Sequence, residues 1–136
     1  LMFAYGEATV PKVTVTLRKS YGGAHDVMSC KQLRGDFNYA WPTAQIAVMG
    51  AKGAIEVLYG KEVAAITDPE AKAKFIAEKE EEYNHAFANP YKAASYGYID
   101  DVIEPRNTRF RVIRAFQSLQ TKRVTNPMKK HSNIPL

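Results

Sequence analysis

A chain of 136 residues, 46% hydrophobic and 24% charged, is long enough for one domain with a real core. It has no apolar run of about 18 residues to span a membrane, and its one cysteine, Cys30, excludes an internal disulfide and a multi-cysteine zinc site. The net charge of +5 is uneven: residues 1–60 sum to +2, 61–105 to −5 and 106–136 to +8, a basic end that fits a solvated face, a subunit contact or an anionic partner.

Leu1–Thr9 reads as the last turns of a helix, closed by Pro11. Because the sequence opens inside that pattern, we expect a piece of a longer protein, with any targeting segment elsewhere. Val13–Leu17 alternates β-branched residues and predicts a strand ending at Arg18–Tyr21. Gly22-Gly23 then makes a turn, and a short helix is expected over 24–30, starting at Ala24. Phe37–Trp41 predicts a second strand, stopped by Pro42. Gln45–Met49 fits a third strand or the approach to a helix over Gly50–Leu58.

The G-x-x-G inside that helix is not a phosphate loop, because the P-loop signature G-x-x-x-x-G-K-[ST] is absent. Thr67-Asp68-Pro69-Glu70 predicts a capped helix start, with Thr67 and Glu70 at capping-box spacing, and a helix running to about Ala88. Ala73, Ile76, Tyr83 and Phe87 form its expected buried stripe. A helical turn over Tyr91–Tyr96, a strand over Tyr98–Ile103 and a helix from Thr108 to Gln120 follow, the last with Phe110, Ile113 and Phe116 or Gln117 on one stripe. Residues 121–136 read as an extended basic tail. Alternating strands and helices make the class α/β.

Side-chain chemistry is sparse. His25, His85 and His131 share no metal-ligand spacing, and neither H-E-x-x-H nor G-x-S-x-G occurs. Cys30 has no evident base beside it. The glutamates of residues 78–82 read as a solvated face, and Asp100-Asp101 lacks further ligands, so no metal site is expected. What remains is backbone: if Gly23 and Ala24 direct their N–H groups into one cavity, they can hold an oxyanion or a phosphate. The alternative is a tight turn that needs a glycine for positive φ.

Four stretches resemble one family. They are Ala4–Val13 (A-Y-G-E-A-T-V-P-K-V), Arg18–Met28 (R-K-S-Y-G-G-A-H-D-V-M), Asn38–Ala54 (N-Y-A-W-P-T-A-Q-I-A-V-M-G-A-K-G-A) and Lys130–Leu136 (K-H-S-N-I-P-L). The chain resembles the acyl-CoA carboxyltransferases, which include the propionyl-CoA carboxylase β subunit, the methylmalonyl-CoA decarboxylase α subunit and the large subunit of transcarboxylase. The resemblance implies a crotonase-like fold, a spiral of ββα units with outer helices at subunit contacts. It also implies that residues 1–136 are the C-terminal portion of the second of two such domains.

The implied reaction moves a carboxyl group between carboxybiotin and the α-carbon of an acyl-CoA, with the biotin ureido anion as base. Such a mechanism needs no catalytic histidine or cysteine. The G-G-A-x-D motif implies that Gly23 and Ala24 form the oxyanion hole for the ureido oxygen. It also implies that Asp26 lies in the acyl pocket, with Gly22 and His25 beside it at the substrate. His25 stands where many relatives have tyrosine. Biotin would arrive on a carrier protein or domain.

Implied partners are a biotin carboxyl carrier with either a biotin carboxylase or membrane decarboxylase subunits, and further copies of the subunit in a hexamer. The implied location is the bacterial cytoplasm or the mitochondrial matrix. The alternatives are a decarboxylase subunit coupled to a sodium pump, or a non-catalytic fragment that supplies only the biotin site and oligomer surface. Nucleic-acid binding through Arg109, Arg111 and Arg114 lacks a stacking or recognition-helix motif, and no nucleic-acid partner is expected.

Overall fold

The structure, a computed structural model, describes residues 1–126. The expected basic tail beyond them lies outside the described residues. Helix α1 (Met2–Glu7) leads into β1 (Val13–Thr16), whose β-branched side chains suit a pleated, half-buried surface. The chain then steps across to a second strand, β2 (Lys19–Tyr21), which the sequence pattern did not announce. Helix α2 (Gly22–Val27) and a 3-10 turn (Lys31–Leu33) bring it back to β3 (Phe37–Ala40) and β4 (Gln45–Ala47).

Consecutive strands go to different sheets. β1 and β3 pair in parallel, Val13 facing Phe37, and β5 (Asp101–Val102) adds to the far side of β3, Tyr39 facing Asp101. β2 and β4 pair in parallel in a second sheet, with Tyr21 beside Ala47. Parallel neighbours require a crossover between them. Here each turn of the chain lays one strand on each sheet, the ββα winding that the resemblance implies.

β3 is the axis of the core. Asn38, Tyr39 and Ala40 are all buried, and successive side chains point to opposite faces. Ala40 packs with Ala44, Ile46, Ala93 and Ile99, whereas Tyr39 packs with Ile103 and Ala115. Asp100 extends the ladder with its side chain, accepting from the Asn38 N–H at 2.8 Å, and Lys31 pairs with the same carboxyl group. Only two of the six residues expected in the third main-sheet strand are regular β structure, because Asp100 spends its carboxylate on that ladder.

Between β4 and β5 the chain makes four helices. These are α3 (Ala51–Leu58), α4 (Gly60–Ala65), α5 (Pro69–Ala86) and α6 (Pro90–Ser95). α4 was not anticipated. Asp68, rather than Thr67, caps α5, its side chain accepting from the Ala71 N–H at 3.0 Å. Asn89 caps α6 in the same way through the Lys92 N–H at 2.8 Å. The expected stripe on α5 is not buried: Ile76 and Tyr83 are half-buried, and Ala73 and Phe87 are exposed. α5 lies on α3 as a cover over the core rather than within it.

The last helix, α7 (Thr108–Ser118), presents its predicted apolar stripe outward. Its buried contact is Ala115, at 3% exposure, while Phe110, Ile113 and Phe116 are 59, 44 and 44% exposed. A small residue lets the helix approach Tyr39 and Ile103 closely. Arg111 settles over the Tyr39 ring at 5.4 Å and pairs with Asp101, and Trp41 donates its indole N–H to Thr108 at 2.8 Å. These polar anchors set the phase of the helix, which leaves Phe110, Ile113 and Phe116 exposed, the last beside β1.

Candidate functional site

The second sheet delivers the site. β2 ends at Tyr21, and the chain enters α2 at once through Gly22, two residues earlier than expected. Gly22 has φ of 51°, a left-handed conformation natural to glycine. β4 runs alongside, so a Cβ on residue 22 would lie 2.7 Å from the Val48 carbonyl oxygen. A Cβ on Gly23 would meet nothing within 4 Å. The glycine pair therefore has two separate uses: Gly22 makes the turn, and Gly23 leaves space open in front of it.

Gly22, Gly23, His25 and Asp26 line one cavity of about 700 Å³. Ala24 shares their helical turn but is exposed and does not line the cavity wall. The first N–H groups of a helix have no intrahelical acceptor, and the residue before α2, Tyr21, offers no side-chain cap. The N–H groups of Gly23 and Ala24 belong to this unsatisfied set, at the positive end of the local peptide dipoles.

His25 is held by Ser20, with Nδ1 and the hydroxyl oxygen 2.9 Å apart. Burial pushes its pKa below the ordinary histidine value, and the neighbouring Asp26 carboxylate pulls more weakly in the other direction. The ring is therefore neutral at pH 7. Asp26 has a partner that the sequence reading overlooked. The fully buried Cys30 donates its thiol to Asp26 Oδ1 at 3.8 Å, a weak sulfur bond from beyond the end of α2. The left-handed turn at Ser29 brings Cys30 back to it.

The remaining wall includes Tyr83 and Phe87, which sequence reasoning assigned to a buried stripe, and residues of a helical turn it left without a role. Tyr83 of α5 and Phe87 just after it, and Lys92 of α6 and Tyr96 just after it, line this cavity. Tyr83 donates its hydroxyl to the Met49 carbonyl at 3.2 Å, and the Lys92 ammonium lies 5.0 Å from the centre of the Tyr96 ring. An aromatic stripe at helical spacing identifies one face of α5, but not whether that face meets a core or a cleft.

The other candidates lie apart. His85 is exposed on α5, and His131 lies outside the described residues. Asp100 is taken by Lys31 and the Asn38 N–H, and Asp101 by Arg111. Arg111 is thereby turned inward rather than offered to a phosphate backbone. Among the described residues, no group of three or more His, Cys, Asp or Glu is placed to hold a metal ion, and no helix is long and apolar enough to cross a membrane.

Two parallel sheets are wound in alternation, and a glycine turn opens from the second of them into a cleft. The chain belongs to the carboxyl transferase domain family, whose sequence model matches residues 1–134. It is 62% identical over 136 residues to the propionyl-CoA carboxylase beta chain of Cereibacter sphaeroides, covering all of this chain and 25% of that one. It is 51% identical over 136 residues to methylmalonyl-CoA decarboxylase subunit alpha of Propionigenium modestum, covering all of this chain and 26% of that one. The solved transcarboxylase 12S hexamer with methylmalonyl-coenzyme A bound superposes with a TM-score of 0.87 at 52% identity, over 99% of this chain and 25% of that one. The fold is thus crotonase-like, and the chain spans about a quarter of the length of these relatives.

Proposed function

We propose that this chain is the C-terminal part of the second domain of a biotin-dependent carboxyltransferase acting on a short-chain acyl-CoA, propionyl-CoA or methylmalonyl-CoA. The observation that carries the reading is the Gly22–Asp26 turn. It combines a left-handed glycine wedged by Val48, open space in front of Gly23, and a carboxylate on the same cavity wall. The family match across nearly the whole chain supplies the chemical class.

The residues present fit the biotin ring. The space at Gly23 is free of side chains, and the donors beside it are backbone N–H groups that suit a carbonyl-like oxygen. When bound, biotin supplies the transferable carboxyl group and the base. The chain's own part is to hold negative charge on the ureido oxygen with the Gly23 and Ala24 N–H groups. Removing one such donor typically costs about 2.7–4 kcal/mol of transition-state stabilisation. Asp26, steadied by Cys30, borders the acyl group, and neutral His25, steadied by Ser20, adds no charge beside it. Tyr83, Phe87 and Tyr96 supply the apolar wall that keeps water from the reacting groups.

The partners on this reading are a biotin carboxyl carrier and either a biotin carboxylase or a membrane decarboxylase, with further copies of the subunit in a hexamer. Relatives of both types share the chain at more than half identity. The location that goes with it is the bacterial cytoplasm or the mitochondrial matrix.

The test is Gly23→Pro in the full-length subunit, compared with Gly23→Ala. Proline is tolerated in the first turn of a helix and removes one N–H. Carboxyl transfer in the proline variant is expected to fall about 10²–10³-fold in kcat. A proline variant that works at the wild-type rate refutes the oxyanion role of Gly23.

A further inference from the structure

On the far side of β1 lies a second cavity of about 230 Å³, which shares no residue with the one described above. We propose that it is an anion site that takes a phosphate-class oxyanion between the side chains of Lys12, Arg34 and Lys122.

The charge is unbalanced. Lys12, Arg34 and Lys122 line the cavity with a single carboxylate, Asp36. Asp36 is already engaged: its Oδ2 accepts from the Lys12 backbone N–H at 2.7 Å and from the Lys122 ammonium at 2.7 Å. Lys122 also donates to the Val10 carbonyl at 2.9 Å. One carboxylate thus serves Lys122, and two positive charges are left over.

Lys12 makes the imbalance costly. The residue is 6% exposed, and its ammonium donates to a neutral acceptor, the Tyr5 carbonyl, at 2.6 Å. A buried ammonium without a counter-charge is strongly disfavoured. Burial lowers its pKa most, Lys122 and Arg34 lower it further, and Asp36 offsets them only in part.

The turn that carries Arg34 is held in place. Arg34 has φ of 65°, a left-handed conformation that strains a non-glycine residue. Its N–H donates to the Lys31 carbonyl at 3.2 Å, and the Gly35 N–H to the Cys30 carbonyl at 3.0 Å. A Cβ on Gly35 would come within 2.4 Å of the Ser29 carbonyl oxygen, so the backbone beneath Arg34 has no room to shift. Among the described residues no carboxylate pairs with the Arg34 guanidinium. A preorganised arginine fork beside two lysines suits an oxyanion with several acceptor oxygens. The cavity is smaller than the ~300–1,000 Å³ of drug-sized ligand sites, which favours a single phosphate group.

The experiment is thermal unfolding of the full-length subunit at pH 7, titrated with inorganic phosphate against chloride at matched ionic strength. A saturable rise in Tm specific to phosphate is expected. Arg34→Gln changes an exposed side chain and removes a charge that opposes the Lys12 ammonium, so it should keep or raise the Tm in chloride while weakening the phosphate response by about tenfold or more. Adenosine 3′,5′-bisphosphate then separates the sources. Competition with inorganic phosphate identifies a nucleotide phosphate as the occupant, and lack of competition identifies free phosphate. No phosphate-specific rise in the wild type, or a full response in Arg34→Gln, overturns the proposal. Because the readout is stability and not carboxyl transfer, its outcome is independent of the function proposed above.

Discussion

The Val48 carbonyl oxygen occupies the place where a side chain on residue 22 would begin, 2.7 Å from an ideal Cβ on Gly22. Gly22→Ala therefore meets two obstacles, a backbone oxygen that cannot swing aside and a left-handed φ of 51°. The conformation alone costs about 1–2 kcal/mol, and the clash adds to it. Gly23→Ala, with open space before it, should lie within about 0.5 kcal/mol of wild type. Urea unfolding of the full-length subunit separates the two. Equal effects would mean that the second glycine, too, is structural.

The Ser20–His25 pair gives the protein a pH-dependent element. The folded-state pKa of His25 is lowered, chiefly by burial, so between the two values the unfolded chain binds more protons than the native one. Stability from the neutral ring is complete above the unfolded value of ~6.5 and is lost as pH falls from there through the lower folded value. His25→Gln should therefore flatten the unfolding free energy of wild type between about pH 7.5 and pH 5. Parallel curves for the two proteins would rule this out. Ser20→Ala removes the ring's partner and should cost about 0.5–1.5 kcal/mol.

Cys30 and Asp26 make a further prediction. The thiol is fully buried, so it should react with a thiol reagent only on the unfolding time scale. Cys30→Ala removes a small buried group and the thiol that donates to Asp26, and should cost about 1–2 kcal/mol. On the proposed reading, Asp26→Ile leaves folding intact and shifts the ratio of kcat/KM between propionyl-CoA and longer acyl-CoAs. An unchanged ratio would remove Asp26 from the acyl pocket.

Helix α7 offers a direct check of which face is inside. Ala115 packs on Tyr39 and Ile103, so Ala115→Leu overfills the contact and should cost about 1–3 kcal/mol. Ile113→Gln, on the exposed face, should change the stability of the single chain by about 0.5 kcal/mol or less. The reverse order would place the Ile113 face inside.

α7 also shows where sequence reading stops. Phe110, Ile113 and Phe116 fall on one stripe, as their spacing predicts, but spacing says nothing about what the stripe faces. Its orientation is set by Arg111 reaching Asp101 and Trp41 reaching Thr108, contacts between residues far apart in the chain. Gly22-Gly23 was legible because a strand end, two glycines and a helix start are neighbours in sequence. So was the start of α5 at Thr67–Glu70, although the cap itself is Asp68; the Asn89 cap of α6 was not, because Asn89-Pro90 also reads as a helix end. β2 was not, because three residues of Lys-Ser-Tyr carry no alternation and pair only once β4 is beside them. The Cys30–Asp26 contact was not legible, because Cys30 lies beyond the end of α2 and is brought back to Asp26 by the left-handed turn at Ser29. The cavity wall from Tyr83 to Tyr96 needed the packing of α5 and α6 to appear.

The winding of the strands has a consequence for how such a protein can change. β1 and β3 sit one short turn of chain apart, whereas β5 rejoins β3 only after α3 to α6 have been laid down. The backbone donors at Gly23 and Ala24 are fixed by the short turn, and much of the wall facing them is supplied by the long excursion. On the proposed reading, the oxyanion hole and much of the substrate wall are thus carried on separate loops. Exchanging residues such as Lys92 and Tyr96 would then suit a bulkier thioester without moving a ladder hydrogen bond, which makes α5 and α6 the target for redesigning substrate range.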